Sequence, residues 1–207
     1  MVKASQREIK MNDNLKIIRL KGIELAPYIT DLAALRISVF RAFPYLYDGN
    51  MDYEKKYLQT YINCPHANMV LVFDGKKVVG ASTAIPLRDE TGECKAPFLT
   101  ANIDIDKIFY FGESVLLPEY RGQHIGKRFF AEREAAAREN HCTITAFCGV
   151  ERPANHPHRP ADWHPLDNFW QQLGYQKHPE IHTTYSWKDL DENTESEKPM
   201  VFWMKQL

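Results

Sequence analysis

Hydrophobic residues in the first half of the chain follow two different spacings. Nearly continuous apolar runs predict buried β-strands at 15–20, 68–74 and 77–86. The sequence Asp-Gly-Lys between the last two runs is a hairpin signal. Apolar positions at helical spacing predict one helix over 25–43 and a second over 52–62.

The second half is organised around one apolar run, 108–117, which predicts a long central strand. The chain turns at Pro118 and passes through a basic, glycine-bearing loop into a helix rich in Ala, Arg and Glu. Pro44 ends the first helix of the chain, and Asp52 is the predicted N-cap of the second. The other predicted elements are a short helix at 97–105, a strand at 142–150, a polar insert at 151–165, a helix at 166–173 that Gly174 ends, a strand within 175–188 and a terminal strand at 199–207.

A helical crossover joins the central strand to 142–150, so these two strands are predicted to be parallel with a right-handed connection. The remaining connections favour antiparallel pairing. The order of elements therefore predicts a mixed α/β (α+β) domain, with no internal linker to divide it. Residues 1–14 are polar and are predicted to be a flexible lead-in to a single domain over 15–207.

Composition excludes some classes of function. Lys and Arg number 26 against 27 Asp and Glu, which argues against a general nucleic-acid binder. No apolar run approaches the roughly 20 residues that span a bilayer, so no membrane partner is expected. None of the 4 cysteines belongs to a CxxC pair, which indicates reduced thiols and a cytoplasmic location.

The loop 121–127 has the features of an anion site. A buried strand that feeds a glycine-containing turn leaves several N–H groups unpaired at the N-terminus of the following helix. Arg121 and Lys127 flank these groups with positive charge. The loop therefore predicts a phosphate-bearing ligand.

The order strand–RxxHxG–helix at Arg121 to Gly126 resembles the acetyl-CoA signature of the GCN5-related N-acetyltransferase (GNAT) superfamily, Q/R-x-x-G-x-G/A. His124 stands where that family usually has its first glycine. The preceding VLLPEYRG and the later FWQQLGY, which is similar to the family's F/L-Y-x-x-x-G-F/Y, follow in family order. The resemblance extends from about Leu15 to Leu207.

This resemblance implies a GNAT-like fold: a central mixed, mostly antiparallel sheet of about seven strands with helices on both faces and a bulged, splayed central strand. It implies acetyl-CoA as co-substrate, with the pantetheine arm entering the splayed gap near Leu116 and Leu117. Asn155 or Asn168 is an implied contact for that arm. The implied cofactor-binding residues are Leu116, Leu117, Arg121, Gly122, Gln123, His124, Ile125, Gly126, Lys127 and Asn168.

Acyl transfer to an amine requires removal of a proton, because a lysine-like amine has a pKa near 10.4. Glu113 is the predicted general base, since a carboxylate is rare in such an apolar strand; an ion pair with a neighbouring element is the alternative. The backbone N–H of Leu116 or Leu117 is the predicted oxyanion donor. Trp170 occupies the position of the family's usual tyrosine acid, so the thiolate is expected to leave unassisted.

Tyr45, Tyr47 and Asp48 are the predicted acceptor-binding residues, through aromatic contact and charge. Packing at the corner between the first two helices is the alternative interpretation of these residues. The histidines of the insert, spaced H-x-H-x5-H, match no metal-ligand pattern. We therefore expect no metal, and an insert that forms a lid over the substrate.

Together these features predict an acetyl-CoA-dependent N-acetyltransferase that transfers an acetyl group directly to the primary amine of a small molecule or amino-acid-like acceptor. The alternatives are a non-catalytic acyl-CoA-binding or sensing module, and a protein lysine or N-terminal acetyltransferase. The protein is expected to be a monomer or homodimer.

Overall fold

The computed structural model describes residues 8–11 and 15–207, which build one eight-stranded sheet in the order β1-β2-β3-β4-β5-β6-β8-β7. β5 and β6 are parallel and all other neighbours antiparallel, as predicted. The strands are β1 (Glu8–Met11), β2 (Leu15–Lys21), β3 (Asn68–Asp74), β4 (Lys77–Pro86), β5 (Ile108–Leu116), β6 (Ile144–Val150), β7 (Gln176–Trp187) and β8 (Ser196–Gln206).

The sheet has one strand more than the sequence predicted. This additional strand, β1, lies within the predicted lead-in. It pairs with β2 at the edge of the sheet, with Glu8 opposite Ile18 and Met11 opposite Leu15. The rest of the predicted lead-in, 1–7 and 12–14, lies outside the described residues.

Helices cover both faces of the sheet, as predicted. Alternation along each strand separates the two cores: Ile18 and Leu71 face α1, α2 and α3, whereas Ile17 and Val70 face α4. Within the described part of the chain, no helix is both long and apolar enough to cross a bilayer. The helices are α1 (Ile29–Phe40), α2 (Met51–Asn63), α3 (Gly92–Thr100), α4 (Ile125–Glu139) and α5 (Asp167–Gln172).

Several predicted boundaries differ from the structure. The first predicted helix is a 3-10 helix over Gly22–Tyr28 followed by α1. The N-cap of α2 is Asn50, not Asp52, because the Asn50 side chain accepts hydrogen bonds from the next turn. The helix predicted at 97–105 begins earlier, at Gly92. Its N-cap is Thr91, which lies in a polar stretch that resembles a loop in the sequence.

The central strand β5 is bulged and splayed. Its parallel pairing with β6 covers only 108–110, so the two strands separate beyond Tyr110. Toward β4, Ser114 lies opposite Ser82 and Phe111 opposite Ala84, so two residues of β5 face the single residue Thr83. The bulge is therefore at 112–113, earlier than the position near Leu116 and Leu117 that the family resemblance implied.

Glycine at position 112 permits this bulge. A Cβ atom there would lie 2.1 Å from the Tyr61 hydroxyl and 2.7 Å from Oγ1 of Thr83. The bulge consequently brings the α2 side chains close to β5, and it positions the next residue, Glu113, at the opening between β5 and β6.

Candidate active site

A cavity of about 930 Å³ occupies the opening between β5 and β6. At one end, its wall is the loop before α4 and the first turn of that helix. At the other end, it is bounded by the segment between α1 and α2 and by the insert. One continuous space thus connects the predicted phosphate loop, the bulge and the predicted acceptor region.

The loop before α4 exposes backbone amides to this cavity. Gly122 and His124 both have left-handed backbone, with φ of +78° and +61°. The first intrahelical hydrogen bond runs from Arg128 N–H to the His124 carbonyl, and His124 gives no side-chain cap. The amides of 125–127 therefore have no partner within the helix and can bind an anion.

Arg121 and Lys127 line the same end of the cavity, as do Gly122, His124 and Gly126. Ile125 also lines the cavity; it is 1% exposed and packs its side chain into the core below the loop. The cavity wall does not include Gln123 or Leu117. It also does not include Asn155 or Asn168, both of which are exposed. Most of the predicted cofactor loop is thus brought together here.

His124→Gly is expected to stabilise the protein by up to about 1 kcal/mol, because glycine removes the cost of a left-handed non-glycine residue. Acetyl-CoA affinity should stay within about threefold, since the loop binds through backbone amides. Thermal unfolding with and without acetyl-CoA measures both quantities. A large loss of affinity would instead assign the imidazole a direct role in binding phosphate.

The two amides at the end of β5 differ in availability. Leu117 N–H donates to the Val79 carbonyl at 3.0 Å and is therefore occupied. Because N–H groups alternate in direction along an antiparallel strand, Leu116 N–H points away from β4, toward the gap. Leu116 also lines the cavity, so it is the better placed of the two predicted oxyanion donors.

Glu113 lines the cavity at the bulge and is 6% exposed. Its Oε2 accepts from Arg36 Nη1 at 2.6 Å, while its Oε1 is buried without a hydrogen-bond partner among the described residues. Arg36 also pairs with Glu54. Burial alone would lower the pKa of Arg36, but Glu113, Tyr57 and Glu54 raise it well above the usual value. One oxygen of Glu113 is thus ion-paired, as the alternative interpretation predicted, and the other has no hydrogen-bond partner among the described residues; the role of general base stays a prediction.

Sequence reasoning missed Arg133, which is 2% exposed and supports the bulge from α4. It donates to the carbonyl of Glu113 at 3.1 Å and to Oγ of Ser114 at 2.8 Å, and its guanidinium stacks on Phe111. Burial lowers the pKa of Arg133 to about 10. Its spacing along the helix could have indicated that Arg133 is buried, because position 133 continues the buried stripe formed by Phe129 and by 136–137.

Of the three predicted acceptor residues, the cavity wall includes Tyr45. Tyr47 and Asp48 are directed elsewhere. Burial and a hydrogen bond to Glu54 raise the pKa of Tyr47, and Asp48 pairs with Lys188 at 2.5 Å, which lowers the pKa of its carboxyl. Tyr47 thus contacts α2 and Asp48 contacts the segment after β7, and the cavity wall includes neither of them.

The insert forms part of the cavity wall and is anchored to the α1–α2 segment. Arg152 donates to the carbonyls of Pro44 at 2.8 Å and Tyr45 at 2.9 Å, and it pairs with Asp189. Trp163 meets Phe43 edge to face, with ring centroids 4.9 Å apart. The insert residues that line the cavity are Glu151, Pro160, Asp162, Trp163, His164 and Pro165.

The histidines of the insert do not converge. His158 pairs with Asp191 at 2.9 Å, and Nδ1 of His156 accepts from the His158 amide at 3.2 Å. His164 lines the cavity instead. In the part of the chain that the structure describes, no group of three His, Cys, Asp or Glu side chains is arranged to hold a metal ion.

Trp170 packs its indole against Phe147 and Trp203, with ring centroids 5.0 and 5.1 Å apart. Its neighbour Phe169 approaches Gly126 so closely that a Cβ there would lie 3.3 Å from the ring. α5 therefore presents aromatic carbon to the cavity and carries no hydroxyl. Among the described residues, Tyr45 is the tyrosine in the cavity wall.

A splayed central strand that leads into an amide-lined loop is the architecture of an acetyl-CoA-dependent acetyltransferase. The chain belongs to the acetyltransferase (GNAT) family, whose model matches residues 33–161, more than half of its length. This family uses acetyl-CoA. No curated protein sequence matches the chain significantly.

Solved structures share this fold. The ribosomal-protein-alanine N-acetyltransferase of Brucella melitensis has a TM-score of 0.59 at 12% identity, over 91% of this chain and 99% of its own. An acetyltransferase of Streptococcus agalactiae has a TM-score of 0.59 at 17% identity, over 94% and 99%. The Salmonella typhimurium protein yncA, solved with its cofactor acetyl-CoA, has a TM-score of 0.57 at 8% identity, over 94% and 95%. At such identities these likenesses establish the fold alone.

Proposed function

We propose that the protein is an N-acetyltransferase that moves the acetyl group of acetyl-CoA directly to a primary amine of a small-molecule or amino-acid-like acceptor. The observation that carries this proposal is the single cavity that contains the loop amides, Leu116 and Glu113. The described cysteines are all free thiols, which is consistent with a reducing, cytoplasmic setting.

Each part of the cavity wall has its own proposed role in binding the cofactor. The amides of 125–127, with Arg121 and Lys127, would hold the pyrophosphate at the mouth of the cavity. The unpaired edge of β5 beyond Tyr110 would hydrogen-bond the pantetheine arm like an added strand. This arrangement would direct the thioester toward the part of β5 that follows the bulge.

Two groups of β5, one at the end of the strand and one at the bulge, suit the chemistry of acyl transfer. Leu116 N–H would donate to the carbonyl oxygen of the acetyl group as negative charge develops there. The free Oε1 of Glu113 would accept a proton from the acceptor ammonium. The departing thiolate needs no acid, because its pKa is modest, which fits the absence of a hydroxyl on α5.

The acceptor end suits a small amine attached to an apolar group. Phe43, Tyr45 and Trp163 supply aromatic walls, while Glu113 and Asp162 supply negative charge for an ammonium. Contact between Trp163 and Phe43 brings the insert against the opposite wall. This narrowing favours a small acceptor over a protein lysine, which needs an open groove.

A non-catalytic acyl-CoA sensor is the second candidate. It is favoured by the ion pair between Arg36 and Glu113, which satisfies one oxygen of the proposed base, and by Trp170 in place of a tyrosine acid. Such a module would bind the same cofactor through the same loop.

Release of the free CoA thiol, measured with a broad panel of primary amines, tests the proposal. We expect amine-dependent release, greatest with amines that carry apolar or aromatic groups. Calorimetry of acetyl-CoA binding runs in parallel. Tight cofactor binding without amine-dependent release across the panel would favour the sensor and contradict the enzyme.

Arg152→Lys is expected to raise KM for the amine about tenfold and to leave acetyl-CoA affinity unchanged. Lysine keeps a positive charge beside Asp189, but it cannot bond both loop carbonyls and the carboxylate together as the guanidinium fork does. Steady-state kinetics for each substrate separate the two effects. An equal loss for both substrates would mean that Arg152 supports the whole cavity and not only its acceptor wall.

A further inference from the structure

A chain of buried hydroxyl and carboxyl groups leads away from the cavity behind Glu113. Tyr57 OH lies 3.4 Å from Oε2 of Glu113 and 3.0 Å from Tyr61 OH, which lies 2.9 Å from Oε1 of Glu90. Tyr61 is 0% exposed and Glu90 7% exposed. Glu113 lines the cavity and the other three residues do not, so the chain connects the site to a carboxylate outside it.

The number of protons in this chain is informative. Its three oxygen-to-oxygen contacts each need one proton, but the two phenols supply only two. If both carboxylates are ionised, one contact therefore has no hydrogen between its oxygens. One additional proton completes the chain, so the chain is built to take up a single proton.

The two ends of the chain differ in charge compensation. Glu113 is paired with the Arg36 guanidinium at 2.6 Å. Glu90 has no arginine partner among the described residues; it accepts from Tyr61 and from the Thr91 amide at 3.1 Å. Burial raises the pKa of Glu90. A proton added to Glu90 therefore breaks no ion pair, whereas a proton added to Glu113 would weaken its pair with Arg36.

The bulge joins the chain to the active site. Glycine at position 112 admits the Tyr61 hydroxyl, which would lie 2.1 Å from a Cβ atom there. The adjacent bulge residue, Glu113, faces the cavity. The same irregularity of β5 therefore positions the proposed base and connects it to the tyrosines.

We propose that Glu113, Tyr57, Tyr61 and Glu90 form a proton relay that transfers the proton of the acceptor ammonium out of the active site. This inference rests on the proposed acetyltransferase function. Glu90 is the distal positioning residue of the relay, since it acts on the substrate only through the other three.

The proton balance is as follows. An N–H bond of the ammonium breaks, its electron pair remains on nitrogen, and an O–H bond forms on Glu113. After the carboxyl group turns about its Cγ–Cδ bond, Glu113 passes a proton to Tyr57, Tyr57 passes its own to Tyr61, and Tyr61 passes its own to Glu90. The amine is then neutral, Glu113 is ionised again, both phenols are restored and Glu90 holds the proton until it is lost to solvent.

The relay accepts a proton only while Glu90 is ionised, so turnover should rise with pH through the raised pKa of Glu90. The groups around Glu90 come from every packed element: Tyr57 and Tyr61 from α2, Cys94 and Lys95 from α3, Glu113 from β5, Cys148 from β6 and Tyr185 from β7. Burial raises the pKa values of Cys94, Cys148 and Tyr185, which keeps these groups neutral near pH 7.

Glu90→Gln and Tyr61→Phe test the relay, with Glu93→Gln on the exposed face of α3 as the matched control. We expect kcat at pH 7 to fall about tenfold in each relay variant, with acetyl-CoA affinity unchanged. In Glu90→Gln, the rise of kcat with pH that is assigned to Glu90 should also disappear. The double variant should lose no more than either single variant, because both interrupt one path. Glu90→Asp should restore part of the rate, and the control should match the wild type.

The outcomes separate the relay from its premise. Absence of amine-dependent thiol release in the wild type overturns the proposed function and the relay with it. Wild-type release together with an unchanged pH profile in Glu90→Gln overturns the relay alone. Two further results would also overturn the relay and would mean that these residues only support Arg36 and Glu113. One is an additive loss of rate in the double variant. The other is a stably folded Glu90→Gln variant that has a lower rate but the wild-type pH profile.

Discussion

Glu113→Gln is expected to lower kcat by about 100- to 1000-fold, within the range of general acid–base catalysis. Glutamine keeps the shape of the side chain and can still accept from Arg36, but it cannot take a proton from the ammonium. Arg36 retains Glu54 as its charge partner, so the variant should fold. The remaining rate should rise with pH toward the pKa of the amine itself, about 10.4 for a lysine-like acceptor.

The measurement is thiol release as a function of pH at saturating acetyl-CoA. Glu54→Gln is the matched control, because it removes a carboxylate from the same guanidinium without touching the cavity. That control should lose stability but keep the shape of the wild-type pH profile. A wild-type profile in Glu113→Gln would remove Glu113 as the base and leave it with a structural role beside Arg36.

Gly126→Val is expected to weaken acetyl-CoA binding by about 10- to 100-fold, equivalent to about 1.4–2.8 kcal/mol. The new Cβ would lie 3.3 Å from the Phe169 ring, and the valine methyls would extend beyond it into the space proposed for the pyrophosphate. Position 126 is helical, so valine fits the backbone there and the effect should remain local. Calorimetry with acetyl-CoA measures the loss directly.

Gly92→Val is the matched control, since Gly92 also lies in the first turn of a helix and a Cβ there meets nothing within 4 Å. Its acetyl-CoA affinity should equal that of the wild type. If Gly126→Val bound equally well, the first turn of α4 would not be the phosphate site, and the cofactor would have to enter the cavity in another way.

Local patterns were sufficient to predict the order of elements. Alternation and apolar runs predicted the strands from β2 to β8, because burial of one or both faces imposes these spacings directly. The loop before α4 was recognisable for the same reason: Gly122, Gly126 and two flanking cations are adjacent in sequence, and a helix N-terminus follows.

Contacts between distant segments were not predictable in this way. Arg36 on α1 meets Glu113 on β5, and Arg133 on α4 supports the bulge that Glu113 occupies. Tyr57 and Tyr61 formed a recognisable helical face, yet their connection to Glu90 depends on how α2 packs against the sheet. The pairing of Asp48 with Lys188 likewise joins segments that are far apart in the sequence.

The sequence by itself determined the fold class and predicted the phosphate loop, because the elements and the loop each depend on residues within a few positions of one another. Only the tertiary structure decided where the bulge lies, which oxygen of Glu113 is free and which amide at the end of β5 is available. These properties depend on groups far apart in the chain, such as Arg36, Val79 and Tyr61, that become neighbours when the sheet and its helices pack.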